Sequence, residues 1–353
     1  MLDPLALNEI LVIKLRYLGD VLLMTPCLQV IKENLPHANV TVVVNKGTEA
    51  VLHNHPYADD VVTVDRRSFV QRCRAVMRLR KRRYDLVLDL TDGDRSAIMT
   101  RLVNARYRVG YNAEHRWRGR CYDQIIHGDP DELHSVDYYL QAITDIGLNV
   151  SVHAPTLSCA PDDEQYAHEL LVDHGIDREE QLVMIHSGAR WEAKSWLAER
   201  FAAVADTIQV SGSTRVVFAG SEQERARVKD IQAQMSTTSV SIVGQTTVLQ
   251  LAAVMKRCVL FLGNDNGPMH MAAAVGLPVV ALFGPTNPKV WGPWGKGHRV
   301  FFKDVDCRAC FLPGCHLGLQ SCMAQISVDE VMDAIDDCLM SKNQKGQSTI
   351  CVN

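Results

Sequence analysis

Apolar residues along this chain fall into short dense runs separated by stretches of helical period. In the first half, Ile10–Leu15, Val40–Val44, Val61–Val64, Leu86–Leu90 and Arg106–Tyr111 predict strands, and amphipathic stretches such as Val136–Ile146 fill most of the gaps. A run that is apolar at nearly every position suits a strand covered on both faces, so this alternation predicts a parallel sheet with right-handed crossovers. The second half repeats the plan. Its expected strands are Leu182–His186, Arg215–Ala219, Ser239–Val243, Val259–Gly263 and Val279–Phe283, with helices at Leu197–Gln209, Glu222–Met235, Val248–Lys256 and Pro268–Val275. The expected fold class is α/β: two Rossmann-like domains with parallel sheets facing a cleft, where ligands bind at the carboxyl ends of the strands.

Between the helical patterns Val136–Ile146 and Asp163–His174, the stretch Leu148–Pro161 has no helical period and carries two prolines. It reads as a linker, placing the domains at residues 1–150 and 162–340 around a connection at 151–161. The last helix, Ser327–Met340, precedes a polar tail at 341–353 that is expected to be disordered. With 353 residues, 47% apolar and 22% charged, the chain is long enough for two cores and too apolar for a disordered protein. No apolar run reaches the ~18 residues of a membrane span, and Met1–Glu9 has no basic segment leading into an apolar one. The protein is thus expected in the cytosol, where its eleven cysteines would be thiols, catalytic groups or metal ligands rather than disulfides.

Candidate chemistry lies in the strand-end loops. Arg16-Tyr17-Leu18-Gly19-Asp20 closes the first strand; Gly19 permits a tight turn, and Thr25 and Pro26 suit the N-cap and first position of the next helix. Asp20 is either a helix-start acid or a catalytic carboxylate at the cleft mouth. This turn lacks G-x-G-x-x-G, which argues against a dinucleotide there. The loop after Leu182–His186 offers Ser187, Gly188, Arg190 and Lys194 ahead of a helix, a set that suits a phosphate or else holds two solvated charges. Glu222, after Phe218-Ala219-Gly220-Ser221, can accept from a ribose or simply favour a helix start. The segment Gly263-Asn264-Asp265-Asn266-Gly267-Pro268-Met269-His270 runs a strand into a dense polar turn and a helix, where Asp265 and His270 contact a ligand or cap and pack the helix.

Net charge is only −4, from 37 Lys and Arg against 41 Asp and Glu, yet the cations are unevenly spread. Arg66, Arg67, Arg78, Arg80, Arg82 and Arg83 belong to a run from Arg66 to Arg83 that contains no acid. Such a run attracts phosphorylated sugar or anionic lipid, or is a solvated helix face. No recognised nucleic-acid-binding module accompanies it, so nucleic acid is not an expected partner. Cys307, Cys310, Cys315 and Cys322 form a tight quartet whose spacing departs from the paired C-x2-C of most zinc ribbons. Packed thiols are the favoured reading, with zinc or an iron–sulfur cluster as the alternative.

Read in order, Ile10–Pro26, the Lys194 loop, Phe218–Glu222 and Gly263–Pro285 resemble the lipopolysaccharide heptosyltransferases of glycosyltransferase family 9, over nearly the whole chain. The opening LVIKLRYLGD together with YDLVLDLTD at 84–92 is most like the heptosyltransferase III branch. The resemblance implies a GT-B fold, with an acceptor domain first and a nucleotide-sugar domain second. It implies inverting, metal-independent transfer of L-glycero-D-manno-heptose from ADP-heptose to the lipopolysaccharide inner core, without a cofactor, on the cytoplasmic face of the inner membrane. By position, Asp20 corresponds to the catalytic base and Lys194 to the lysine that contacts the diphosphate. Ser187 and Gly188, with Arg190 nearby, would line that diphosphate, Glu222 would meet the ribose, and Thr246 and Thr247 the adenine. Asp265, Asn266, Gly267 and His270 would form the sugar-diphosphate turn. The alternatives are type I or II regiochemistry, or a non-catalytic nucleotide-sugar-binding protein; the latter is disfavoured because Asp20, Lys194 and Asp265 are all present.

Overall fold

The first sheet is built from β1 (Glu9–Lys14), β2 (Asn39–Asn45), β3 (Asp60–Val64), β4 (Tyr84–Asp89), β5 (Ala105–Gly110) and β6 (Gln124–Ile125). All its pairings are parallel, in the order β3-β2-β1-β4-β5-β6. Ile10–Ile13 of the central strand are fully buried because helices cover both faces. Those helices are α1 (Leu18–Leu23), α2 (Thr25–Asn34), α3 (Phe69–Arg80), α4 (Asp94–Leu102) and α5 (Ser135–Asp145). On one face, Leu11 and Ile13 of β1 pack with Ala75 and Leu79 of α3 and Met99 and Val103 at the end of α4.

The second sheet comprises β7 (Gln181–His186), β8 (Thr214–Phe218), β9 (Val240–Ser241), β10 (Leu260–Asn264), β11 (Val279–Phe283) and β12 (Arg299–Phe302), again all parallel. Read from its β9 edge the order is β9-β8-β7-β10-β11-β12, the same winding as in the first sheet. Each sheet therefore reverses direction beside its first strand, between β1 and β4 and between β7 and β10, the position where α/β sheets bind ligands. Its helices are α6 (Pro161–Asp173), α7 (Ala198–Val210), α8 (Arg225–Gln232), α9 (Val248–Arg257), α10 (Gly267–Ala274), α11 (Pro288–Trp291) and α12 (Val328–Gln347). The structure is a computed structural model that describes residues 6–210, 212, 214–307 and 309–347, and the chain divides into two units between Ser158 and Cys159. Residues 149–156 belong to the first unit, where the Asn149 amide donates to Asn34 Oδ1 (3.1 Å) and the Thr156 amide to Thr25 Oγ1 (3.1 Å).

The α/β expectation holds for both halves, with local differences. Thr25 does not cap: the chain turns helical earlier, at Leu18, because Val21–Leu23 bury themselves as a first short helix. Thr25 then opens α2, with its hydroxyl donating to the Leu22 carbonyl (2.8 Å). Strands β6 and β12 were not expected; at two and four residues, with partly exposed side chains, they are too short for an apolar pattern. The final helix runs to Gln347, beyond Met340 and into the expected tail; residues 348–353 lie outside the described residues. Of the cysteine quartet, only Cys322 packs against the second core, whereas Cys307, Cys310 and Cys315 are exposed on an irregular segment. The packed-thiol expectation therefore fails for three of them. Among the described residues, no group of three or more His, Cys, Asp or Glu side chains is disposed to hold a metal ion.

Candidate functional site

Each unit gathers polar side chains where its sheet reverses. In the first unit, β1 ends at Lys14 and α1 starts four residues later, which puts Asp20 in the first turn of a helix, where backbone N–H dipoles favour an anion. Lys14 is buried, and its Nζ donates to the Leu90 carbonyl (2.8 Å) and the Tyr139 hydroxyl (2.6 Å). It also lies 3.6 Å from Asp20 Oδ1, and the Tyr139 hydroxyl donates to the same oxygen at 3.4 Å. Burial lowers the Lys14 ammonium to about 8, against the opposing pull of Asp20. Burial likewise raises the Tyr139 phenol well above its usual range, so it remains a donor. A cation and a hydroxyl thus orient one carboxylate.

A cavity of about 390 Å³ opens at the carboxyl ends of the first-sheet strands; Leu15, Arg16 and Tyr17 line it, whereas Asp20 does not. Arg16, Arg66, Arg72, Arg95, Arg116 and Arg118 line it, with Asp92, Asp94 and Glu114 between them. Arg118 is buried and pairs with Asp92 (2.7 Å), Asp94 (3.4 Å) and Glu114 (3.3 Å), which fixes the cavity wall. Arg16 closes the wall across the reversal point by donating to the carbonyls of Thr91 (3.2 Å) and Asp92 (3.1 Å).

This geometry splits the arginine run. Arg66 lines the cavity and Arg67 lies beside it, exposed, with its amide bound to Asp65 (2.8 Å). Arg78 and Arg82 instead pair with Asp60, at 3.1 and 3.5 Å, and Asp60 is the first residue of β3. Arg80 and Arg83 are exposed at that same amino end. The cause is α3, whose twelve residues carry the chain back along the sheet by about 18 Å. Four of the six arginines expected at one acceptor site thus lie at the opposite end from the cavity.

In the second unit, Lys194 closes a short 3-10 turn after β7 and binds Asp265 Oδ2 at 2.5 Å. Asp265 directly follows β10, and its Oδ2 also accepts from the Thr286 hydroxyl (2.5 Å), so loops after three strands meet at one carboxylate. The Lys194 ammonium lies 5.0 Å from the Trp191 ring centre. Asn266 caps α10, accepting from the Met269 amide (3.0 Å), while its Nδ2 donates to the Gly188 carbonyl (2.9 Å) and to His186 Nδ1 (3.0 Å). His186 must then carry any single proton on Nε2, which faces Glu224 at 3.7 Å. Burial lowers the His186 imidazole, opposed by Glu224. The Glu224 carboxylate packs against Gly188: a Cβ there would fall 1.5 Å from Glu224 Oε1 and displace that side chain. Ser187 is fully buried, and its hydroxyl has no partner among the described residues. Gly267 opens α10, His270 is buried within it, and Arg190 is exposed on the loop after β7.

A neighbouring group lies after β8 and β9. Glu222 is mostly exposed, forks onto Arg225 (2.6 and 2.5 Å) and covers Gly244. Thr246 follows, half-buried, and Thr247 caps α9 by accepting from the Gln250 amide at 3.3 Å. Ser187, Gly188, Lys194, Asp265, Asn266 and Gly267 are therefore one cluster, with Glu222, Thr246 and Thr247 a second within the same unit. Lys14, Tyr139, Glu224 and Thr286 were not anticipated. Two carried a signal: Lys14 interrupts an apolar strand, and Ser221-x-x-Glu224 has capping-box spacing.

Residues 72–320 match the model of glycosyltransferase family 9 (heptosyltransferase). Over 297 residues the chain is 29% identical to lipopolysaccharide heptosyltransferase 3 of Escherichia coli, covering 82% of this chain and 87% of that protein. The crystal structure of the family 9 glycosyl transferase from Veillonella parvula superposes with a TM-score of 0.85 at 26% identity, over 95% of this chain and 97% of that one. E. coli ADP-heptose lipopolysaccharide heptosyltransferase II shares the fold at a TM-score of 0.80 and 22% identity, over 95% and 99% of the two chains. The twin parallel sheets are those of the GT-B fold, and the match over well over half of its length means that the chain belongs to glycosyltransferase family 9 and is a glycosyltransferase.

Proposed function

We propose that this enzyme transfers L-glycero-D-manno-heptose from ADP-heptose to the lipopolysaccharide inner core, as a type III heptosyltransferase working at the cytoplasmic face of the inner membrane. The observation that carries the reading is the Lys194–Asp265 pair beside Gly188 and the start of α10. Lysine has three donors, so Lys194 can hold Asp265 and still present an N–H to a diphosphate oxygen. Its charge and the α10 amides meet the negative charge that grows on departing ADP, the basis for a metal-independent reaction. Ser187, Gly188, Arg190, Asn266, Gly267 and His270 surround the sugar diphosphate, while Glu222 takes the ribose and Thr246 and Thr247 the adenine.

Asp20 is the base. It removes the proton from an acceptor hydroxyl as that oxygen bonds to the anomeric carbon, the bond from that carbon to the diphosphate breaks, and ADP leaves from the opposite face, so the centre inverts. The guanidinium-lined cavity, walled in part by Arg16 and Tyr17 of the turn that leads to Asp20, supports an acceptor that carries phosphate, held through Arg66 and its neighbours. The type III assignment rests on the similarity to heptosyltransferase 3.

Incubation of the enzyme with ADP-heptose and a set of core-truncated lipopolysaccharides, followed by mass spectrometry, tests this. We expect one heptosyl unit added to an acceptor that already carries core heptose. Addition to heptose-free acceptor would replace type III with type I, and transfer only from another nucleotide sugar would overturn the donor.

A further inference from the structure

The outer surface of α3 and α4 carries large apolar side chains among its cations. Ala75 and Leu79 face the core from α3, yet Phe69, Val70 and Met77, on its far side, are 71%, 56% and 60% exposed. On α4, Ala97 and Met99 are buried while Ile98 and Leu102 are 46% and 47% exposed. The two helices touch and cover the same face of the sheet, so these side chains belong to one surface. Arg74, Arg80, Lys81 and Arg101 are exposed on the same two helices and the turn that follows α3. Two acids on the flanking elements are engaged: Asp60 holds Arg78 and Arg82, and Asp94 holds Arg116 and Arg118.

We propose that the outer face of α3 and α4 docks on an anionic phospholipid bilayer. A merely solvated face would place polar groups where Phe69 and Met77 stand. A second copy of this chain would set one cationic rim against another, which disfavours self-association. Apolar side chains that enter the headgroup boundary, ringed by Lys and Arg that meet anionic headgroups, supply the two signals that stable peripheral binding needs. The face also adjoins the cavity, since Arg66 and Arg72 line it while Phe69 and Val70 point outward from the same helix start. A bilayer docked here brings a lipid-anchored acceptor to the cavity mouth; the inference thus rests on the membrane location and acceptor proposed above and names the face that meets the membrane.

Flotation of the full chain with vesicles, without donor or acceptor, tests the docking. We expect binding to phosphatidylglycerol-containing vesicles, little to pure phosphatidylcholine, and loss at high salt. Arg74→Gln with Lys81→Gln and Arg101→Gln should weaken it roughly tenfold or more, as should Phe69→Ser with Met77→Ser and Leu102→Ser. Melting temperature and transfer to a water-soluble, deacylated acceptor should stay near wild type in both sets. The proposal is overturned if the wild-type chain ignores anionic vesicles, if either set binds them as wild type does, or if the apolar set only converts an oligomer to a monomer. Loss of transfer to every acceptor with vesicle binding intact would instead fault the proposed reaction alone.

Discussion

At the end of β1 a lysine is buried and a carboxylate reaches solvent; at the end of β7 the arrangement is reversed. Side-chain exposure is 3% for Lys14 and 14% for Asp20, against 14% for Lys194 and 6% for Asp265. Both pairs stand where a sheet reverses: Lys14 and Asp20 bracket the turn after β1, whereas Lys194 and Asp265 join the loops after β7 and β10. The buried member in each case is held by further hydrogen bonds, Lys14 by Leu90 and Tyr139, Asp265 by Thr286. The more exposed member is the one a ligand can meet. One winding thus presents an anion from the first unit, suited to taking a proton, and a cation from the second, suited to holding phosphate.

The sharpest way to break this comparison is Asp20→Asn. The amide keeps the size and the helix-start position but is not a base, so turnover should fall by roughly 10²-fold or more with donor affinity and melting temperature retained. Near-normal turnover would reduce Asp20 to a helix-start residue and pass the role to another acid. Lys194→Ala is expected to follow in size: roughly 10- to 100-fold lower turnover and weaker ADP-heptose binding, because both the bound and the departing diphosphate lose a charged donor. It also leaves Asp265 buried without its cation, so a lower melting temperature is expected. Unchanged kinetics would move phosphate recognition to Arg190 or the Asn266 turn.

A third contrast lies within the first unit. Arg66→Ala with Arg72→Ala should raise the acceptor KM roughly tenfold, since both line the cavity. Arg78→Ala with Arg82→Ala should leave it within about twofold, because these arginines pair with Asp60 at the amino end and exposed pairs contribute little. Equal effects would show that the acceptor spans the length of α3.

Periodicity made both sheets legible because central strands such as β1, β10 and β11 are buried on both faces and therefore apolar at nearly every position. The edge strands β6 and β12 escaped, being short and half-covered. Glycines, acids and helix starts at strand ends revealed where chemistry lies, but not what holds it: Lys194 and Asp265 are 71 residues apart, Lys14 and Tyr139 are 125 apart, and no local pattern links them. The arginine run divides between two places for a related reason. Charge density along the chain ignores that a helix turns nearby residues into opposite ends of a domain.

The smallest expected change in turnover comes from Lys14, and it carries a sign. Its folded-state value of about 8 lies below the ordinary 10.5, so folding favours the neutral amine. Below about pH 8 the native protein holds this buried charge at a cost, and that cost is relieved as pH rises from about 8 towards 10.5. Wild type should therefore gain melting temperature, by a few degrees, relative to Lys14→Met across this window. Turnover should move the other way over the same range. As Lys14 loses its proton, Asp20 loses the ammonium that orients it, and a fall of a few-fold is expected in wild type. The Lys14→Met enzyme, already lacking that partner, should show the lower rate at every pH and no such step. A melting-temperature difference that stays flat through pH 8 to 10.5 would mean that burial does not act on Lys14 in this way; if the turnover step were also absent, Asp20 would be oriented by Tyr139 and the helix start alone.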